Sequence, residues 1–201
     1  MSAHLNFAIE TTRLRLRAWH ADDFPAFAQL NADAQVMRYF PHPLTQTESD
    51  ALAQMFQQFI NQNGWGFWAV ELKHSQEFIG FTGLHAQPEC FDFSPCVEIG
   101  WRLDSKFWHQ GYATEAAQAC LYFAFSVLDL DEVVAFTAVQ NRASEAVMKR
   151  LGMQHRGYFN HPKLDQNSPL LRHTLYAIKP TDFLKNHDEY DLNQSIHIVQ
   201  D

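Results

Sequence analysis

Val97-Glu98-Ile99-Gly100-Trp101-Arg102-Leu103, followed after a short bridge by Gln110-Gly111-Tyr112-Ala113-Thr114-Glu115, is the stretch that decides how this chain is read. The first run alternates and reads as a strand. The second opens a helix over 114–128, rich in Ala and Phe. The first N–H groups of a helix have no partner inside it and point outward. Together with the helix dipole they make an anion site. Gly111 lets backbone approach a phosphate with no Cβ in the way, Ala113 is small for the same reason, and Thr114 adds a hydroxyl. By itself a Gly-x-Ala at a helix start also fits a tight helix entrance, so its surroundings carry the decision.

Upstream, Arg13-Leu14-Arg15-Leu16-Arg17 alternates as a half-buried strand, with the leucines inward and the arginines outward. Asp22 and Asp23 are placed to cap a helix through Phe24, Phe27 and Leu30. Tyr39-Phe40-Pro41-His42-Pro43 is a loop, because two closely spaced prolines exclude a helix or a central strand. Thr45-Gln46-Thr47-Glu48 is a capping box opening a helix that Gly64 ends. Strands follow at 67–72 and 78–84, with Lys73-His74-Ser75-Gln76 as the turn between them. Downstream come a buried strand at 133–139, a helix over 142–151 with Asn141 at its entrance and Gly152 as its stop, and strands at 153–159 and 172–178. This order predicts a mixed sheet flanked by helices, in the α+β to α/β range.

The 201 residues suit one domain with a sizeable core. We divide them into an N-terminal extension (1–9), a single domain (10–182) and a polar, acidic C-terminal tail (183–201), read as lying beyond the core. No apolar run reaches the ~18 residues that span a bilayer. Residues 1–7 lack a basic start before an apolar stretch, so the expectation is a cytoplasmic protein with no membrane partner. A formal net charge of −8 argues against a nucleic-acid partner and suits a cationic acceptor. Cys90, Cys96 and Cys120 make an odd number without CxxC spacing, and the histidines form no HExxH, so no metal is expected.

Glu98-Ile99-Gly100-Trp101 with Gly111-Tyr112-Ala113-Thr114-Glu115-Ala116 resembles the acetyl-CoA signature of the GNAT superfamily. Asn141-Arg142-Ala143-Ser144 with Lys149-Arg150-Leu151-Gly152-Met153 resembles that family's second signature, and Arg172-His173-Thr174-Leu175-Tyr176 its last strand. The resemblance spans roughly residues 10–182, and the branch it looks most like is that of the ribosomal-protein N-terminal acetyltransferases, the RimJ/RimL type. It implies a twisted, mostly antiparallel sheet, splayed where acetyl-CoA enters between the 97–103 and 133–139 strands. The pyrophosphate would sit on His109, Gln110, Gly111, Tyr112, Ala113 and Thr114. The pantetheine arm would lie along the first strand with Asn141 on its other side, and the thioester oxygen would face an N–H near Leu103.

The resemblance further implies N-acetyl transfer by direct attack of a primary amine, on a protein N-terminus or a small molecule, through a tetrahedral intermediate. Glu98, beside the thioester, is the first candidate for general base, and His85 is the alternative. Many relatives use a Tyr in the helix after Asn141 to meet the leaving thiolate. Met148 stands there in this chain, and Ser144 takes the role as either a sulfur contact or a cofactor ligand. Two further departures lie in the anion loop, where Trp108 replaces a common Gln or Arg and His109 a common Gly. The acceptor should meet loops 34–44 and 160–171. Two alternatives to the enzyme remain: an acyl-CoA-binding sensor or docking module of the same fold, and a metal-dependent hydrolase using the histidines. Monomer and homodimer are both open.

Overall fold

Two N-terminal strands, β1 (Phe7–Glu10) and β2 (Leu14–Arg17), lead into helices α1 (Asp23–Ala32), α2 (Ala34–Met37) and α3 (Gln46–Asn63). A meander of β3 (Phe67–Leu72), β4 (Phe78–Gln87) and β5 (Cys96–Leu103) follows, then helix α4 (Tyr112–Ser126). Next come β6 (Val133–Ala138), α5 (Arg142–Arg150), β7 (Gln154–Asn160) and β8 (Arg172–Ile178). The chain ends with α6 (Pro180–Asn186), α7 (Glu189–Ser195) and β9 (His197–Gln200). This computed structural model describes residues 6–186 and 189–200.

The described strands form one sheet in the order β7-β8-β6-β5-β4-β3-β2-β1-β9. Every pairing is antiparallel except β5 with β6, which are parallel and meet only at Glu98 opposite Val134. The mixed, mostly antiparallel sheet and its splay thus agree with the sequence reading. Just past β5, Asp104 donates its N–H to the Ile79 carbonyl, and the β4 register runs unbroken from Leu103 back to Cys96. Alternation along an antiparallel pair therefore turns the backbone groups of Trp101 and Leu103 away from β4, toward the gap before β6.

Helix α4 sits in the middle of the molecule because its sequence permits it. Ala116, Ala117, Ala119, Cys120, Phe123 and Ala124 are fully buried, and the small side chains let the helix axis approach the sheet closely. On the other face, Trp19 packs at 4.8 Å from Phe27, 5.9 Å from Phe56 and 5.6 Å from Phe78. Its indole donates to the Phe67 carbonyl at 2.7 Å, which satisfies the one polar atom of a large buried ring.

Three readings from the sequence change. Arg17 is buried rather than outward, because its guanidinium forms bidentate hydrogen bonds to Asp23 and a third to Glu71. These carboxylates raise its pKa against the opposing cost of burial. Asp22 makes no capping bond at α1; the Asp23 carboxylate instead accepts the His20 N–H. The segment 183–201, read as a tail beyond the core, is built into the domain where it is described. Phe183, Leu192 and Ile196 are buried, the Tyr122 hydroxyl donates to Asn193, and β9 pairs with β1. These apolar residues are too widely spaced among polar ones to stand out before the sheet edge that receives them is known. Likewise the extension 1–9 contributes β1, while residues 1–5, 187–188 and 201 lie outside the described residues.

Candidate functional site

Helix α4 begins at Gly111, whose φ of +84° is the left-handed conformation that glycine adopts without strain. His109 precedes it at φ +61°. No side chain caps this helix. The first amide to turn inward is that of Glu115, which donates to the Gly111 carbonyl, so those of Tyr112, Ala113 and Thr114 lie ahead of the hydrogen-bond ladder. A Cβ placed on Gly111 would meet only the Arg13 guanidinium, at 3.4 Å. That cradle of open amides fits a phosphate group.

Arg13 braces the entrance from β2's approach. Its Nη1 donates to the Gln110 carbonyl at 3.0 Å, its Nε to Glu115 at 2.6 Å, and its guanidinium lies 4.4 Å above the Tyr112 ring. The Thr11 hydroxyl and the Arg13 N–H also donate to Glu115. The carboxylate is thus turned away from the open amides. Sequence reasoning missed Arg13, since an outward arginine on an alternating strand carries no sign of what it reaches.

Across the gap, α5 starts at Asn141. Its side-chain carbonyl accepts the Ser144 N–H at 3.3 Å, and its amide donates to the hydroxyls of Ser144 at 3.0 Å and Thr137 at 2.9 Å. Ser144 Oγ is therefore an acceptor in this bond and keeps its own O–H to donate elsewhere. Met148 is buried in the core.

Alternation on β5 puts Glu98, Gly100 and Arg102 on one face. Glu98 is paired in register with His85, and His85 Nδ1 lies 3.7 Å from its carboxylate. Gln87 Nε2 sits 3.1 Å from Glu98 Oε1 and 3.1 Å from His85 Nδ1. At the far end of this face, Arg102 donates to Asn31 at 2.6 Å and lies 4.1 Å above the Phe40 ring. Burial alone lowers its pKa to about 10. Phe40 belongs to the predicted acceptor loop 34–44, whereas Met37 of that loop faces the core.

The second predicted acceptor loop begins against a cluster of aromatic rings. Phe136 of β6 and Phe159 of β7 pack with Phe91 and Phe93 from the segment between β4 and β5. His161 and His173 join them, 4.9 Å apart. Burial first, then His173 and Lys163, lowers the His161 pKa to about 4, with Glu98 acting in the opposite sense. A cavity of about 480 Å³ opens beside this cluster, lined by Phe91, Phe93, Tyr158, Phe159, Asn160 and Arg172 among others. The sequence reading takes segment 88–95 as a loop, marked by Pro88 and Pro95, and gives it no part in the site. Among the described residues, no group of three His, Cys, Asp or Glu side chains is placed to hold a metal ion, and no described helix is long and apolar enough to cross a membrane.

Comparison with known proteins agrees with this geometry. Residues 13–154 match the acetyltransferase (GNAT) domain family. "Uncharacterized N-acetyltransferase YnaD" of Bacillus subtilis (strain 168) is 32% identical over 75% of this chain and 85% of its own. "FsC-acetyl coenzyme A-N(2)-transacetylase" of Aspergillus fumigatus (strain ATCC MYA-4609 / CBS 101355 / FGSC A1100 / Af293) is 31% identical over 76% of this chain and 67% of its own. A solved GNAT-family acetyltransferase from Bacillus anthracis superposes with a TM-score of 0.73 at 26% identity, covering 86% of this chain and 98% of that one. With its split sheet, its open helix entrance and a family match over most of its length, the chain belongs to the GNAT acetyltransferase family.

Proposed function

We propose that this chain moves an acetyl group from acetyl-CoA to a primary amine, on a protein N-terminus or a small molecule, as in the RimJ/RimL branch its sequence resembles. The observation that carries the reading is an uncapped helix entrance at Gly111, just beyond the end of a strand that touches its parallel neighbour at one bridge. The pyrophosphate takes the amides from His109 through Gln110, Gly111, Tyr112 and Ala113 to Thr114. The pantetheine arm takes the edge at Trp101, with Asn141 opposite, and the Leu103 N–H meets the thioester oxygen, while the Leu103 carbonyl accepts from the Trp108 indole at 2.8 Å. The A. fumigatus relative, whose name includes both acetyl coenzyme A and N(2), supports amine acetylation as the reaction class.

In this reading the acceptor approaches over the face of Glu98. Its ammonium proton passes to the Glu98 carboxylate, and the freed lone pair attacks the thioester carbonyl carbon. The tetrahedral intermediate then gives up a further proton of its cationic nitrogen to solvent and collapses: the C–N bond stays, the C–S bond breaks, and CoA leaves as a thiolate. Ser144 donates its free O–H to that sulfur. A thiol is acidic enough, at about 8.5 for a cysteine side chain, to leave with this hydrogen bond alone. The reading includes a cytoplasmic location and needs neither a metal nor a second copy of the chain.

Calorimetric titration with acetyl-CoA, with CoA as control, tests the first half. Saturable one-to-one binding is expected, and no binding would remove the phosphate assignment. Thiol release in a screen of peptides and amines then tests transfer; tight binding without release from any amine would leave an acyl-CoA-binding module.

A further inference from the structure

Glu98 and His85 are paired in register on one face of β5 and β4, and either residue type is a competent proton acceptor. The side chain that separates their roles is Gln87, two residues beyond His85 on the same face of β4. One atom, Gln87 Nε2, is within 3.1 Å of both Glu98 Oε1 and His85 Nδ1. A carboxylate only accepts, so the side-chain amide must present its NH₂ group here; the opposite orientation would set oxygen against oxygen. Both amide hydrogens are then committed, one to the carboxylate and one to the imidazole. Nδ1 must accept, and the ring proton belongs on Nε2. We propose that Gln87 is a positioning residue: it holds His85 in its neutral, Nε2-protonated form and so leaves Glu98 as the proton acceptor on this face. The inference rests on the reading that an amine is acetylated over Glu98.

Two consequences separate this from an ordinary surface contact. His85 has no free lone pair, since Nδ1 is bonded and Nε2 carries hydrogen; it meets a substrate only as a donor. Without Gln87, Nδ1 lies 3.7 Å from Glu98 with nothing donating to it. A proton taken up there would join the carboxylate in an ion pair and draw off its basicity. The other groups around the pair do not compete for this role. The Phe59 ring of α3 and the Phe67 ring of β3 flank His85, at 5.1 and 5.7 Å. His161 beyond β7 and the Cys96 thiol on β5 lie within electrostatic range of Glu98. Burial keeps the former neutral at working pH and raises the latter.

The test is a long-range ¹H–¹⁵N correlation spectrum of the full chain, labelled at histidine and assigned through His85→Gln. In the wild type at neutral pH, His85 should show the Nε2–H pattern; an Nδ1–H or imidazolium pattern overturns the proposal. Gln87→Leu should lose that pattern, and Gln87→Glu, which can only accept, should move the proton to Nδ1; an unchanged Nε2–H pattern in both overturns it. Acetyl-CoA affinity and melting temperature, read for both variants, show that the fold is kept. With the amine that turns over fastest in the thiol-release screen, Gln87→Leu should lower kcat/KM about 10-fold on the acid side of the profile and less on the alkaline side. A uniform loss across pH overturns the protonation role. Glu98→Gln separates the two ideas: if its kcat/KM matches the wild type while His85 keeps the Nε2–H pattern, the base assignment falls and the clamp stands.

Discussion

Helices α3 and α4 open in opposite ways. At α3, Thr45 accepts the Glu48 N–H at 3.3 Å, and the Glu48 carboxylate accepts the Thr45 N–H at 2.8 Å. The entrance is closed by its own side chains, and the Thr45 N–H and hydroxyl, which both donate to the carboxylate, hold the Glu48 pKa below its ordinary value. At α4 the cap is a glycine with no side chain to donate or accept, and the glutamate of the first turn is taken by Thr11 and Arg13. Helix α5 stands between them: Asn141 caps it yet keeps an amide for Ser144 and Thr137. A helix that serves only the fold satisfies its own first turn. At α4 that turn is left open and its carboxylate is held elsewhere, as the proposed phosphate site requires.

Breaking the open entrance should have the largest effect. Gly111→Glu sets a carboxylate against the phosphate and forces a side chain onto φ +84°. Acetyl-CoA affinity should fall by at least about 100-fold in calorimetry, or roughly 2.7 kcal/mol. Unchanged affinity would remove the contrast between α3 and α4. Ser144→Ala, at the intermediate entrance, should lower kcat about 30-fold while acetyl-CoA affinity stays within about 2-fold, as expected for a lost hydrogen bond to a charged sulfur. A fall in affinity alone would make Ser144 a binding residue.

Smaller effects sharpen the comparison. Arg13→Ala should weaken acetyl-CoA about 5-fold, because it unpins Gln110 and frees Glu115 to face the amides; its cost to the fold should be small, as its side chain is 43% exposed. Thr45→Ala should do the reverse, with no effect on acetyl-CoA binding and a melting temperature about 2–4 °C lower. The last expectation concerns the first turn of α5. Arg142, Lys149 and Tyr176 together hold the Glu145 pKa at about 2, against an ordinary 4.5. A carboxylate whose pKa is depressed by folding stabilises above its unfolded value and loses that contribution as pH falls. Thermal melts should therefore show a small loss of stability between about pH 4.5 and about 2 that Glu145→Gln removes.

The strand, helix and turn order was legible because it rests on local chemistry. Thr45 and Glu48 specify their box without help from the rest of the chain, and Gly64 closes α3 with a φ of +79°. Alternation likewise marked β2 and β5. The site was legible where backbone makes it: Gly111 and Asn141 are at helix entrances in sequence and in structure alike. It was not legible where side chains far apart in sequence converge. Arg13 reaches Glu115 across 102 positions and Gln110 across 97. Arg102 meets Asn31 across 71. Gln87 gains its meaning only from the β4–β5 register that sets His85 against Glu98.

The sequence alone determined most of the helices and strands between residues 13 and 178 and which family the chain resembles, because periodicity, caps and glycine positions act within a few residues. The tertiary structure decided the rest. It buried Arg17 between two carboxylates, returned the C-terminal segment to the sheet edge, turned the free edge of β5 toward the gap, and gave one glutamine two partners. Each of these depends on which distant segments share a surface, and a contact between distant segments leaves no pattern in either one.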